Sequence, residues 1–274
     1  MKKIIYDLGA AKGENIDYYL LKSDLIVCVE ANPKNCEEIL RKYEKEIKIG
    51  KIKIENCVIG IEKDLEKSDF YIHKKNYLLG QFPEPEEHVF NEFEKIIISY
   101  KTVDQIFKQY GKAHYIKIDL ENYDVKVLEK ILSENIPFDY ISFEIKNVET
   151  LDTFRNFYDS FSFKSVDGHN IKYNYKNHKI LTNNNSKKIT FHQNAAGPFG
   201  NDIDGDWIDL ETFKSLMNYK LQFIGWYDVH FSKVDTSNNQ LTLENLITKV
   251  KKNMRKVKIK KKIDRILKKF RFNI

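Results

Sequence analysis

Cysteine is scarce: Cys28, Cys36 and Cys57 are the only three among 274 residues. An odd count without CxxC spacing excludes a disulfide framework and a zinc knuckle, and makes a reducing, cytoplasmic compartment the expectation. Glycine, with 11 residues, and proline, with 5, are also sparse, which excludes a collagen-like or low-complexity chain. Long apolar runs are missing too. None approaches the ~18 residues that a membrane span needs, and the short apolar stretch after Lys2-Lys3 is broken at Asp7, so neither a span nor a signal peptide is expected. What is present is ordinary globular usage, 42% hydrophobic and 13% aromatic, in a chain long enough to bury a sizeable core.

Acidic residues are nearly absent from one place. Residues 249–274 hold 13 Lys and Arg and a single acid, Asp264; the rest of the chain holds 33 basic and 39 acidic residues, a net −6 against +6 for the whole. The body is mildly acidic, and only the tail is basic. In the tail Val250, Met254 and Val257 repeat at helical spacing, as do Ile259, Ile263, Ile266, Leu267, Phe270 and Ile274, so the segment reads as a basic amphipathic helix. Its apolar side packs either on the protein's own body or on an anionic membrane surface such as the inner leaflet. Nucleic acid comes third, since so much apolar surface is unlike an electrostatic arm.

Along the body, apolar strands alternate with helical spacing. Strands are expected at 3–8, 25–29, 52–58, 96–100, 115–120 and 140–145, with helices after Gly13, after Pro33, and near 103–110 and 125–132. This alternation calls for a parallel sheet covered by helices on both faces. Residues 74–94, with Pro83, Pro85 and many acids, read as a long loop able to act as a lid. Three parts are expected: a core over 1–182, an acceptor-side extension over 183–240, and the tail helix over 241–274. Within the extension, 183–186 reads as a turn, 195–206 as a long loop and 210–216 as a helix.

In such a sheet the first strand-to-helix turn needs glycine, so that the backbone can approach a ligand at the strands' carboxyl ends. Asp7-x-Gly9-x-x-x-Gly13 fits that turn, and Glu30, at the end of the second strand, suits the two hydroxyls of a ribose. The dinucleotide fingerprint G-x-G-x-x-G is absent, because position 11 is Ala; no Walker-type loop occurs either. Asp202, Asp204 and Asp206 approach a calcium loop, but Gly205 is at the wrong offset and Phe213 stands where a bidentate Glu belongs.

Five segments then carry a resemblance: Asp7-Leu8-Gly9-Ala10 with Gly13; Val29-Glu30-Ala31-Asn32-Pro33; Thr102-Val103-Asp104; Ile116 to Asp124 with Val127-Leu128; and Phe143-Glu144. In order and spacing, over about the first half of the chain, they resemble the FkbM-type family of S-adenosylmethionine-dependent methyltransferases. The sequence departs from that pattern at Asn122, where Gly is common, and at Asp124, usually Glu. The resemblance implies an α/β fold: a Rossmann-like class I methyltransferase core, with a mostly parallel seven-stranded sheet, helices on both faces and a C-terminal extension. It implies methyl transfer from S-adenosylmethionine to a hydroxyl of a sugar, polyketide or related small molecule, and the acceptor expected here is of carbohydrate type, a surface-polysaccharide sugar or its nucleotide-activated precursor. Methylation of a small amine or of nucleic acid, and a non-catalytic binding domain, stand as alternatives.

Carried over by position, the resemblance implies that Asp7, Gly9, Ala10, Ala11, Gly13 and Asn15 lie along the methionine part of the cofactor. Glu30, Ala31 and Asn32 fall at its ribose, Cys57 and Val58 at its adenine, and Asp119 and Leu120 beside the transferred methyl. Asp119 and Glu144 end neighbouring strands as a carboxylate pair that either holds acceptor hydroxyls or ligates a divalent cation. A hydroxyl must lose its proton as it attacks, so a general base is needed; His192 and His230, in aromatic surroundings, are the candidates beside the carboxylates. Lys12, inside the glycine turn, is expected to face solvent, since inward it would repel a sulfonium.

Overall fold

The computed structural model describes residues 2–152, 161–182, 185–233 and 242–271, with the side chains of the last helix described as far as 265. Its strands are β1 (Ile4–Leu8), β2 (Leu25–Val29), β3 (Ile52–Glu55), β4 (Val58–Gly60), β5 (Lys67–His73), β6 (Phe93–Thr102), β7 (Ala113–Ile118), β8 (Phe138–Ile145), β9 (Ser162–Val166), β10 (His178–Leu181), β11 (Ser186–Ile189) and β12 (Tyr227–Ser232).

Seven of these form one sheet in the order β3-β2-β1-β7-β8-β12-β9. β1 pairs in parallel with β2 and with β7, and the β2–β3 and β7–β8 pairs are parallel too. The winding therefore reverses between β1 and β7, and in an open α/β sheet the crevice at that switch point, outside the carboxyl ends of the strands, is where a ligand binds. This is the mixed α/β, seven-stranded, mostly parallel architecture expected. β1 and β2 are buried along their whole length, as continuous apolar runs must be when helices cover both faces.

Two expected strands belong elsewhere. The run 52–58 is not one strand: β3 stays in the central sheet, while β4 pairs with β6 in a separate three-stranded sheet, β4-β6-β5, that also takes the strand expected at 96–100. The break falls at Asn56, whose amide turns back to donate to the Glu30 carbonyl at 2.8 Å. Val58, Phe70 and Tyr100 supply this small sheet with its own apolar centre.

Helix ends follow local chemistry. Pro33–Lys42 starts with Pro at its first turn, and the Asn32 side chain accepts from the Lys34 N–H. Val103–Tyr110 opens on a reciprocal Thr102–Gln105 capping box and closes on Gly111 at φ +102°.

The chain divides into two compact units, one of Met1–Glu144, Thr182–Asn184 and His230–Ser232, the other of Ile145–Leu181, Asn185–Val229 and Lys233–Ile274. The core boundary expected at 182 thus differs from the observed division, because β9 to β11 cluster with the later segments. In the second unit, 210–216 extends to the helix Leu210–Leu221, while part of the turn expected at 183–186 lies outside the described residues. The tail is one helix, Leu243–Arg271, packed on Leu210–Leu221 and Ile171–Asn174. No helix among the described residues is long and apolar enough to cross a membrane.

Candidate active site

The first unit gathers ionisable groups at the switch point. Register places Asp7 opposite Lys117, with Ile118 opposite Phe143, so Asp119 and Glu144 follow as the next residues of adjacent strands. Neighbouring strands lie about 4.8 Å apart, so the backbones of these two acids run side by side.

Lys117 is the cation that holds this arrangement, a role not expected from residue type and spacing. Its ammonium is buried, 3.0 Å from Asp119 Oδ2 and 3.4 Å from Asp7 Oδ1, and it donates to the Gly9 carbonyl at 3.2 Å. Burial alone would lower its pKa, but Asp119 and Asp7 outweigh burial and hold it above the ordinary lysine value. Asp7 is wholly buried, and burial pushes its carboxyl up to about 6 against the pull of Lys117. Asp119, by contrast, has a side chain 48% exposed. The trio therefore presents one reachable carboxylate on a buried base of compensated charge.

The glycine turn lies against this base. Gly9, at φ +83°, comes so close to the next strand that an added Cβ would stand 1.8 Å from the Asp119 carbonyl oxygen. No side chain fits there. Gly13 is at φ +76°, and a Cβ would meet Ile16 at 2.7 Å. Ala11 takes a left-handed φ of +45° without being glycine. Its amide donates to Glu30 Oε2 at 2.7 Å, and the Asn32 amide donates to Glu30 Oε1 at 2.7 Å. Glu30 thus ties the first and second strand ends together, and burial pushes its carboxyl up to about 7. Ala10 and Asn15 are buried beneath the turn, Ala31 and Asn32 follow Glu30, and Cys57 and Val58 are buried at the start of the small sheet.

The loop after Asp119 makes physical sense of both departures from the family pattern. Glu121 and Asn122 have φ of +43° and +68°; Asn is the residue that best tolerates this left-handed region in place of Gly. Asp124 is buried, and its Oδ1 accepts from the Leu120 N–H at 3.1 Å, closing the loop onto the helix Asp124–Ser133. Burial, reinforced by Asp119, pushes its carboxyl up to about 7. Tyr123 donates to Glu62 at 2.9 Å, Tyr100 donates to the same carboxylate, and Phe82 packs on both rings.

The long loop expected over 74–94 is partly tethered. Tyr77 donates to Glu14 at 2.9 Å, its carbonyl accepts from Asn35 at 3.2 Å, and the Lys12 ammonium sits 4.0 Å from its ring centre. Lys12 is thus half-buried with its ammonium over this ring, rather than wholly facing solvent as expected.

The histidines separate from this group. His230 is buried and stacks on Tyr115, with ring centroids 6.1 Å apart. Tyr115 lies four residues before Asp119, about 13 Å down the strand, so His230 belongs to the sheet's interior layer rather than to its carboxyl end. His192 is an exposed residue of the second unit. No group of three or more His, Cys, Asp or Glu able to hold a metal occurs among the described residues.

A family profile described as the methyltransferase FkbM domain matches residues 7–167. Among curated proteins, none matches the chain. Among solved structures, the FkbM methyltransferase of Methylobacillus flagellatus is 18% identical, with a TM-score of 0.33 over 52% of this chain and 32% of its own. The chain thus spans about a third of that protein's length. A human methyltransferase 10 domain containing protein is 6% identical, with a TM-score of 0.38 over 86% of this chain and 73% of its own. Phosphoethanolamine N-methyltransferase 1 of Haemonchus contortus, solved with phosphoethanolamine and S-adenosylhomocysteine, is 10% identical, with a TM-score of 0.33 over 90% of this chain and 42% of its own.

Proposed function

Because the chain belongs to the FkbM methyltransferase domain family, we propose that it is an O-methyltransferase acting on a hydroxyl of a carbohydrate-type acceptor, a surface-polysaccharide sugar or its nucleotide-activated precursor. The observation that carries the reading is the pair of adjacent strand ends, Asp119 and Glu144, with Asp119 half-exposed above the buried Lys117–Asp7 base. Vicinal hydroxyls suit two carboxylates spaced by one strand, each able to accept a hydrogen bond.

S-adenosylmethionine supplies the methyl group, on a sulfonium cation. The donor set fits such a cofactor: the Gly9 turn has no room for a side chain, Glu30 keeps acceptor capacity beside its two backbone donors, and the nearest reachable charge is the Asp119 carboxylate. Asp7 to Asn15 would line its methionine part, Glu30 its ribose, and Cys57 and Val58 its adenine. Asp119 would orient the acceptor hydroxyl and, as the acceptor oxygen forms its bond to the methyl carbon and the carbon–sulfur bond breaks, take the hydroxyl proton. Glu144 would hold the neighbouring hydroxyl. Its alternative role, ligating a divalent cation jointly with Asp119, is separated by activity after exhaustive chelation.

Titration calorimetry with S-adenosylmethionine, followed by methyl transfer to a panel of sugars, nucleotide sugars and small amines, tests the proposal. Micromolar cofactor binding and product on hydroxyl acceptors are expected. The Asp119→Asn variant should still bind cofactor, more weakly by the loss of one carboxylate charge, and turn over at least ~10²-fold more slowly. Transfer only to amines, or unchanged turnover in the variant, would overturn it.

A further inference from the structure

The tail helix Leu243–Arg271 has two apolar stripes, not one wide face. Leu246, Val250, Met254 and Val257, spaced four, four and three residues apart, form the inner stripe: Leu246 and Val257 are buried, Val250 and Met254 half-buried. With it the helix packs on Leu210–Leu221 and Ile171–Asn174 of its own unit. Helical spacing puts Ile259 and Ile263 on the opposite side, and they are 59% and 50% exposed. The expectation that the tail's apolar side packs on the body therefore holds for one stripe only, and the other faces outward.

The outward stripe lies in a basic field. Lys252, Arg255, Lys256, Lys258, Lys262 and Arg265 are all exposed, and no ion pair among the described residues engages them. Other basic residues of the helix turn back toward their own unit. Lys260 donates to the Tyr173 carbonyl at 2.6 Å, Lys249 lies 3.4 Å from Asp206, and Lys251 and Lys261 stand over Tyr219 and Tyr173. Lys252, Arg255, Lys256 and Lys262 follow the spacing of Ile259 and Ile263, so they border the exposed isoleucines.

We propose that this outward face docks on an anionic lipid bilayer, with the helix lying along the surface, Ile259 and Ile263 entering the headgroup boundary, and the flanking Lys and Arg pairing with lipid phosphates. A second copy of the chain is disfavoured as the occupant, because two such faces carry the same dense positive charge. A nucleic-acid duplex would satisfy the lysines but leave the isoleucines against phosphate and water. The inference is independent of the methyl-transfer reading.

Flotation of the full chain with vesicles tests it. At low salt the protein should float with equimolar phosphatidylglycerol and phosphatidylcholine, and not with phosphatidylcholine alone. Ile259→Ser with Ile263→Ser should lower the partition constant at least ~tenfold while leaving heparin retention and the far-ultraviolet spectrum unchanged. Lys252→Glu with Lys256→Glu should lower vesicle binding and heparin retention together. Failure of the full chain to float, unchanged binding by the isoleucine variant, or displacement from vesicles by an equal phosphate concentration of duplex RNA or DNA would each overturn it.

Discussion

Lys117 and Lys252 carry the same ammonium group in opposite settings. The first is buried in the first unit between Asp7 and Asp119; the second stands exposed on the tail helix of the second unit, with no ion pair among the described residues. Buried charge acts at atomic range. Removed from water, it needs a specific partner at a specific distance, and it can thereby hold a carboxylate in place. Exposed charge acts by number: each lysine contributes little to stability, salt screens it within about 10 Å, and its use lies in the sum it presents to a surface.

Removing one member from each setting should separate them sharply. Lys117→Met leaves Asp7 fully buried without its cation, so a loss of about 3–5 kcal/mol in unfolding free energy is expected by denaturant titration at pH 7. Asp7→Asn with Lys117→Met should regain part of that loss; a double variant no more stable than the single one would show that the two groups do not act as a pair. Glu30→Ala comes next. It should weaken S-adenosylmethionine binding by roughly 1.5–3 kcal/mol in calorimetry, the scale of hydrogen bonds to a charged acceptor, and unchanged affinity would move the cofactor elsewhere.

A smaller effect is pH dependence. Burial raises the Asp7, Glu30 and Asp124 carboxyls to about 6, 7 and 7, whereas in the unfolded chain such groups ionise near 4. Between those values the folded state holds more protons than the unfolded one. The contribution of these groups is therefore fully present below pH 4, falls as pH rises, and levels off above about 7. Glu30→Gln should make the loss of stability between pH 5.5 and 7.5 smaller by about 1–2 kcal/mol; a slope equal to that of the unaltered protein would refute the assignment. Smallest of all, Lys252→Ala should change unfolding free energy by less than about 0.5 kcal/mol, and a larger loss would erase the contrast between the two settings.

Most of the central sheet was legible in the sequence, because a continuous apolar run such as Leu25–Val29 and a capped helix such as Pro33–Lys42 state their structure locally. The Asn56 break was not, since Ile52 to Val58 alternates as one strand does and the turn depends on a distant acceptor, the Glu30 carbonyl. At the site, Gly9 and Glu30 declared themselves by residue type and spacing. Lys117 did not, although a signal existed: a lysine inside Tyr115-Ile116-Lys117-Ile118, a strand apolar on both sides of it, needs a buried counter-charge, and Asp119 points to the same face. His230 shows the converse, because aromatic neighbours accompany a packed histidine, here stacked on Tyr115, as readily as a reactive one. Ile259 and Ile263 belonged to a stripe that the sequence showed, but only packing reveals which stripe is covered.

The contact of the Gly9 turn with the Asp119 carbonyl has a mechanical consequence. Two loops that merely faced each other across a crevice would fluctuate independently, and the gap between donor and acceptor would vary by the sum of their motions. Here backbone rests on backbone, with the Lys117 ammonium bonded to the Gly9 carbonyl and 3.0 Å from Asp119. A displacement of one segment carries the other along, so thermal agitation translates the two together while the interval between them stays nearly constant.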